Sequence, residues 1–252
     1  MYLSIVIPTI QSAKFLHKTI YELHSYLLES RIEFEILIIN DAGDFETWAC
    51  LKRLTKELNN IKAYRLYKNF GQHYANHIGF LKSKGEFVIT MDDDGQNPPD
   101  QIHLLLEKQR STNADLVIGI YKKRKHSLNR RMCSRIMNLI IRIIFVAPSK
   151  FRSSNFRLVS RKVINRIVNS SPRYPYTTGQ SLIFSSMKVN INVSHRLSAR
   201  GFSSYKLYNM ISLAWNAIAN YSNIPLRLVS MAGFSVSLAS FIIFILIVIY
   251  SL

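Results

Sequence analysis

Residues 91–100 read MDDDGQNPPD and follow directly on the apolar run EFVITM (86–91). In an extended chain successive side chains alternate, so Asp92 and Asp94 share one face, about 6–7 Å apart, and Asp93 takes the other. Two carboxylates so placed can hold one hard divalent ion, directly or through water. Mg²⁺ or Mn²⁺ suits them, because these ions take oxygen ligands and share them with substrate phosphates. Three consecutive acids repel one another unless a cation relieves them. The competing reading is an acidic turn in which Gly95 supplies a positive φ. A second acid, Asp41, closes another apolar run, LIINDAG (37–43). It is set either to accept hydrogen bonds from a nucleotide's base or ribose, or to form an Asx-turn before the next helix.

These acids need strands to end where they stand. SIVIP (4–8), FEILIIN (34–40), IKAYRLY (61–67), EFVITM (86–91) and DLVIGI (115–120) have the composition of buried strands. Helical patterns over 12–30, 45–59, 71–84 and 99–111 separate them, with Pro98-Pro99 suited to a helix start. Strand–helix alternation predicts a parallel α/β sheet. In such sheets ligands bind outside the carboxyl ends of the strands, which puts Asp41 and Asp92–Asp94 in one crevice. There is no internal repeat and no low-complexity linker.

Of 252 residues, 48% are apolar, enough to bury a sizeable core and to exclude wholesale disorder. Two cysteines, Cys50 and Cys133, are too few for a disulfide scaffold and fit a reducing compartment. The net charge of +18 is unevenly placed. Residues 1–115 carry 13 Lys+Arg against 15 Asp+Glu, whereas residues 116–252 carry 20 Lys+Arg and no acid. The second half is built to lie against negative charge. Met1 opens directly into YLSIVIP, with no basic and apolar leader pattern, so no secretory signal is expected. After Arg227 come 25 residues without a formal charge, ending FIIFILIVIYSL. As a helix this run spans about 37 Å, enough for a bilayer core of about 30 Å. Basic residues precede it and none follows, so the positive-inside rule predicts a single-pass protein of the inner membrane with its first 227 residues in the cytoplasm. The expected division is 1–204, a cytoplasmic domain; 205–225, an amphipathic juxtamembrane helix; and 226–252, a transmembrane helix. Ser127–Ala147 also reads as a basic amphipathic helix, interfacial or simply at the surface.

The segments VIPTI, IINDAG, NFGQ, EFVITMDDDGQNPPD, NFRLVSRKV (155–163), RGFSSYKL (200–207) and SNIPLRL (222–228) run over nearly the whole chain. Together they resemble a family 2 glycosyltransferase, more narrowly the polyprenyl-phosphate (dolichyl-phosphate-type) glycosyltransferases. The resemblance implies a GT-A fold, a Rossmann-like nucleotide-sugar-binding sheet. It also implies transfer of a sugar from a UDP- or GDP-sugar to a lipid phosphate at an anionic membrane, with inversion and with Mg²⁺ or Mn²⁺. By matching position, Pro8, Thr9 and Gln11 line the nucleotide pocket with Asp41, Asp92 and Asp93. Asp92 and Asp94, with Gln96, surround the metal and diphosphate; Asp94, Gln96 and Arg157 are the implied catalytic set. Arg124, Arg131, Arg157, Arg200, Ser203 and Tyr205 fall on the acceptor-phosphate and membrane side. Departures from the family pattern concentrate near the donor: Gln11-Ser12 replaces Asn-Glu, Asn40-Asp41-Ala42-Gly43 replaces Asp-Asp-Gly-Ser, Asp93 replaces a small residue, Asn155 an Asp, and Tyr121 an Arg.

A sugar-hydroxyl acceptor requires a general base, commonly Asp or Glu, and no acid follows Asp115. A lipid phosphate is already an oxyanion and needs none. His195 could serve as base or face phosphate as a structural residue. The rivals are transfer to a glycolipid hydroxyl, and a non-enzymatic membrane-surface or nucleic-acid-binding protein with a vestigial acidic turn. Nucleic acid is not the expected partner: YKKRK (121–125) and the aromatics Tyr174, Tyr176, Phe202, Tyr205 and Tyr208 suit phosphate headgroups and an interfacial belt as well as they suit bases. His73 and His77 have zinc-pair spacing, but no Glu or Cys accompanies them. A second copy or another membrane subunit is expected if one helix does not complete the bundle.

Overall fold

In a computed structural model the described residues are 2–11, 13–121, 145, 152–170, 174–196, 218, 220–222 and 224–251. The apolar runs become strands β1 (Tyr2–Thr9), β2 (Glu33–Asn40), β3 (Ile61–Arg65), β4 (Phe87–Thr90) and β5 (Leu116–Tyr121). They are continuous rather than alternating because helices cover the sheet: from Leu3 to Thr9 and from Phe34 to Asn40 every residue is buried. The intervening helices are α1 (Ala13–Glu29), α2 (Phe45–Glu57), α3 (Gln72–Lys82) and α4 (Gln101–Thr112). Asp44 starts α2 by accepting the Thr47 N–H at 2.8 Å.

Five further elements follow among the described residues: β6 (Arg157–Ser160), α5 (Arg161–Asn169), α6 (Thr177–Phe184), β7 (Lys188–Val193) and α7 (Ile224–Ser251). The seven strands run in the order β3-β2-β1-β4-β6-β5-β7. The sheet is mixed, which corrects the all-parallel expectation: β6 lies antiparallel to both β4 and β5. RLVS is too short to announce a strand by periodicity, and KVNINV (188–193) carries polar residues at an edge. The strand order reverses between β1, which continues to β2, and β4 on its other side. That reversal opens a crevice at the carboxyl ends of β1 and β4.

Gly43 is required where the β2–α2 turn passes β1. A Cβ there would lie 1.6 Å from the Ile10 carbonyl oxygen and 2.7 Å from Asn40 Nδ2. Backbone cannot step aside as a side chain can, so Gly43→Ala is expected to cost at least about 3 kcal/mol, read as a lower unfolding midpoint in detergent.

The chain divides into two compact units, Met1–Ser204 and Tyr205–Leu252. In the second, Leu226–Ser251 is long and apolar enough to cross a membrane, and all 26 of its residues are exposed. At 1.5 Å per residue it reaches about 39 Å. Such a surface requires an apolar surrounding. The expected amphipathic helices at 127–147 and 205–221 lie outside the described residues, save Phe145, Ile218, Asn220 and Tyr221.

Candidate active site

The D-x-D run leaves β4 at the crevice, and its burial alternates with the pleat. Asp92 and Asp94 keep partial exposure, whereas Asp93 is 4% exposed. Gly95 (φ +70°) then turns the chain, and Asp94 Oδ1 accepts the Gln96 N–H at 3.1 Å. The acidic turn and the open carboxylate pair therefore coexist. Asp92 Oδ1 accepts two amide N–H groups, from Gln72 Nε2 at 2.9 Å and Asn155 Nδ2 at 2.8 Å. Asn76 Nδ2 in turn donates to Asn155 Oδ1 at 3.0 Å. Burial, then the Asp94 charge, push the Asp92 carboxyl up to about 6, and the two amide donors pull against them.

The Asn155 amide gives a physical reason for one departure in sequence. Asn155 sits at hydrogen-bond distance from Asp92, where a carboxylate would add a fourth negative charge to the cluster.

Tyr121, at the end of β5, donates to Asn97 Oδ1 at 2.5 Å. Burial, then the charges of Asp92 and Asp94, hold its phenol well above the usual range. The His195 ring packs tilted against Tyr121, with ring centres 4.2 Å apart. The backbone after β7 is tied down beside it, with the Arg196 N–H donating to Gln96 O at 3.0 Å and the Ser194 N–H to Gln101 Oε1 at 2.8 Å. His195 thus stands beside the acidic turn, more than 100 residues away in sequence.

Arg157 is wholly buried on β6, alongside Thr90 and Ile118. Its guanidinium donates to Thr178 Oγ1 at 2.6 Å and Thr177 Oγ1 at 3.1 Å. Its Nε has no partner, and it forms no ion pair, among the described residues. Burial lowers its pKa to about 10, which leaves it a cation, with Tyr176 and Asp92 opposing that shift. His73 Nδ1 lies 3.2 Å from Thr177 Oγ1, and burial first, then Arg157, push the imidazole down to about 3. That answers the zinc-pair pattern: His73 is a neutral neighbour of a buried cation. The unfolded state takes up a proton near pH 6.5 and the folded state does not, so His73 costs stability as pH falls below 6.5. The expected slope is about 1.4 kcal/mol per pH unit. His73→Gln should remove it, measured by denaturation at pH 5 and pH 7.

Asp41 is 4% exposed and pins a loop: Oδ1 and Oδ2 accept the backbone N–H groups of Phe70 (2.8 Å) and Gly71 (2.7 Å). The turn into α2 is held by Asn40, whose Oδ1 accepts the Gly43 N–H, three residues on, at 2.9 Å. Pro8 and Thr9 end β1 and are buried; Gln11 follows them, exposed. Arg124, Arg131, Arg200, Ser203 and Tyr205 lie outside the described residues. Sequence reasoning missed Gln72, Asn76, Thr177 and Thr178. Gln72 and Asn76 do fall in KNFGQHYANHIGFLKSKG (68–85), the stretch before EFVITM that shares the family resemblance, but with no role attached.

No three or more His, Cys, Asp or Glu side chains converge on a metal position among the described residues. Two clustered carboxylates, one of them held up to about 6 partly by the other, still fit a hard cation that takes its remaining ligands from water and phosphate.

A Rossmann-like sheet with an acidic turn at its strand-order reversal defines a GT-A glycosyltransferase. The family model "Glycosyl transferase family 2" matches residues 4–168, and the chain belongs to that family. It is therefore an enzyme, which sets aside the reading as a mere binding protein. The undecaprenyl-phosphate 4-deoxy-4-formamido-L-arabinose transferase of Pseudomonas aeruginosa is 29% identical over 95% of this chain and 70% of its own. The protein of that name from Salmonella choleraesuis is 27% identical over 99% and 76%. Among solved structures, glucosyl-3-phosphoglycerate synthase from Mycobacterium tuberculosis, in complex with UDP, superimposes with a TM-score of 0.62 at 14% identity, covering 87% of this chain and 78% of that one. S. aureus TarS 1–349 gives 0.55 at 16%, over 88% and 66%.

Proposed function

We propose that the protein transfers a sugar from a UDP- or GDP-sugar to a polyprenyl phosphate, with inversion, at the cytoplasmic face of the inner membrane, in the building of bacterial surface polysaccharide or modified lipid. The observation that carries the reading is the partly exposed Asp92/Asp94 pair with the buried Arg157 cation, which forms no ion pair among the described residues, on the neighbouring strand. The relatives' names, which specify undecaprenyl phosphate, support the acceptor.

In the reaction an acceptor phosphate oxygen forms the bond to the anomeric carbon as the bond to the nucleoside diphosphate oxygen breaks. Asp92 and Asp94, with Gln96 beside them, would hold a divalent ion, which when bound would supply positive charge for the departing diphosphate. Gln72 and Asn155 keep the Asp92 carboxylate oriented through their N–H donors. Arg157 adds positive potential from beneath Thr177 and Thr178 rather than by contact. The phosphate nucleophile needs no base. The test is to incubate membranes holding the protein with undecaprenyl phosphate and labelled UDP- and GDP-sugars. The expected product extracts into organic solvent and releases its sugar in mild acid; no such product with any donor overturns the reading.

A second reading, transfer to a glycolipid hydroxyl, is favoured by one observation, the placing of His195 against Tyr121 beside the acidic turn. His195→Ala separates the two. Transfer to phosphate should fall less than about tenfold, whereas loss of a general base costs roughly a hundredfold or more.

A further inference from the structure

Beyond the crevice, the catalytic unit displays a chain of aromatic rings. Tyr67 meets Phe70 edge-on at 5.0 Å, Phe70 meets Tyr74 at 5.5 Å, and Tyr74 meets Tyr174 at 6.0 Å. Lys68 Nζ lies 5.7 Å from the Tyr67 ring and 5.0 Å from the Phe70 ring. Tyr67 is 83% exposed and Tyr174 37%. The surface is held out rather than collapsed, because Asp41 clamps the Phe70 and Gly71 N–H groups.

We propose that this ladder, with Lys68, is a contact by which the catalytic unit rests on an anionic bilayer surface. The inference rests on the reading that the acceptor is a membrane lipid.

Three observations select a bilayer. Rings with an apolar body and a hydroxyl tip suit the headgroup level, where one end is dry and the other wet. Both contributing stretches are free of acid: no Asp or Glu occurs between Glu57 and Glu86, and none after Asp115. The carboxylate bonded to this loop, Asp41, is buried beneath it and spent on the Phe70 and Gly71 N–H groups, so the exposed cation at the rim is the group that meets anionic headgroups. Finally, Gly71 leads directly into Gln72, whose amide holds Asp92. The ladder therefore stands one residue from the reacting crevice, where a bilayer-held phosphate must arrive. The same chain carries a 26-residue exposed apolar helix, so a bilayer is already its required surrounding.

The test uses the full chain reconstituted into vesicles of phosphatidylcholine with phosphatidylglycerol. An environment-sensitive fluorophore is attached at Tyr67→Cys in a Cys133→Ser background, with Lys52→Cys on the exposed side of α2 as control. The expected result is a blue shift at 67 and quenching there by a shallow nitroxide lipid, with neither at 52. Equal quenching at both positions, or none at 67, overturns the proposal. In a second arm, Tyr67→Ala/Tyr174→Ala is assayed with a short, water-soluble polyprenyl phosphate and with undecaprenyl phosphate in vesicles. Activity should hold on the first and fall about fivefold or more on the second; Lys68→Ala alone should raise KM about fivefold on the anionic vesicles only. An equal loss on both acceptors would mean that the rings stack on substrate, and the proposal falls. If the probe at 67 is quenched while no polyprenyl phosphate is ever glycosylated, the contact stands and the acceptor reading fails.

Discussion

Asp94→Asn is expected to lower sugar transfer by about a hundredfold to a thousandfold with the fold intact. The two carboxylates are not equivalent. Asp92 is held by Gln72 and Asn155 and is pushed up to about 6, so charging it costs the folded state. The sign follows from proton counts. Between pH 3.8 and about 6 the folded protein keeps a proton that the unfolded chain has lost, so stability falls as pH rises through that window. Asp92→Asn should therefore stabilise the metal-free protein at pH 8 by about 1–2 kcal/mol and not at all near pH 3.5. Both variants should abolish Mn²⁺-dependent nucleotide binding. In the native protein that binding should weaken about tenfold per pH unit below 6, as proton and cation compete for Asp92. Titration calorimetry with UDP and GDP, with and without Mn²⁺, checks all of this. Metal-independent binding of equal strength in Asp94→Asn would remove the basis of the proposed mechanism.

Arg157→Met should separate stability from activity in the opposite way to an ordinary core mutation. A buried cation with no ion pair among the described residues is a burden on the fold, relieved by two threonine hydroxyls and in part by the Asp92 charge. An apolar side chain of similar length should leave the unfolding free energy in detergent unchanged or raise it by up to about 2 kcal/mol once the loss to Thr177 and Thr178 is counted, with the melting temperature moving the same way. Transfer should nonetheless fall by about a hundredfold, because the positive potential behind the crevice is gone. Arg157→Lys keeps the charge but cannot reach both hydroxyls in the same fork, and should fall between the two. If Arg157→Met lost melting temperature and activity together, in proportion, the residue would be a strut and nothing more.

Much of the first 121 residues could be read directly. Buried parallel strands must be apolar along their whole length, and covering helices must repeat every three to four residues, so each element from β1 to β5 shows in composition alone. The acids at strand ends stood out for the same reason: charge directly after a buried strand is conspicuous. What lay beyond reach was contact between distant segments. RLVS is four residues long, and its antiparallel insertion between β4 and β5 depends on pairing rather than on pattern. Asn155 looked like the loss of a carboxylate; its amide in fact supplies a donor to Asp92. In sequence Asp41 offers a nucleotide contact or an Asx-turn; that its two oxygens also hold the Phe70–Gly71 loop, about 30 residues on, no local pattern announces.

The linear chain alone determined the sheet-forming runs, the aspartate cluster after β4, the acid-free basic half and the long apolar helix, because hydrophobic periodicity and charge are local properties that survive without a fold. Only the tertiary structure decided which neighbours those aspartates have. Strand order brings β6 beside β4, and with it Arg157 and Asn155, while the return past β7 sets His195 on Tyr121. A carboxylate's charge state, its donors and its counter-ions are set by distances through space, and residues 60 to 100 positions apart become neighbours only when the strands assemble in this order.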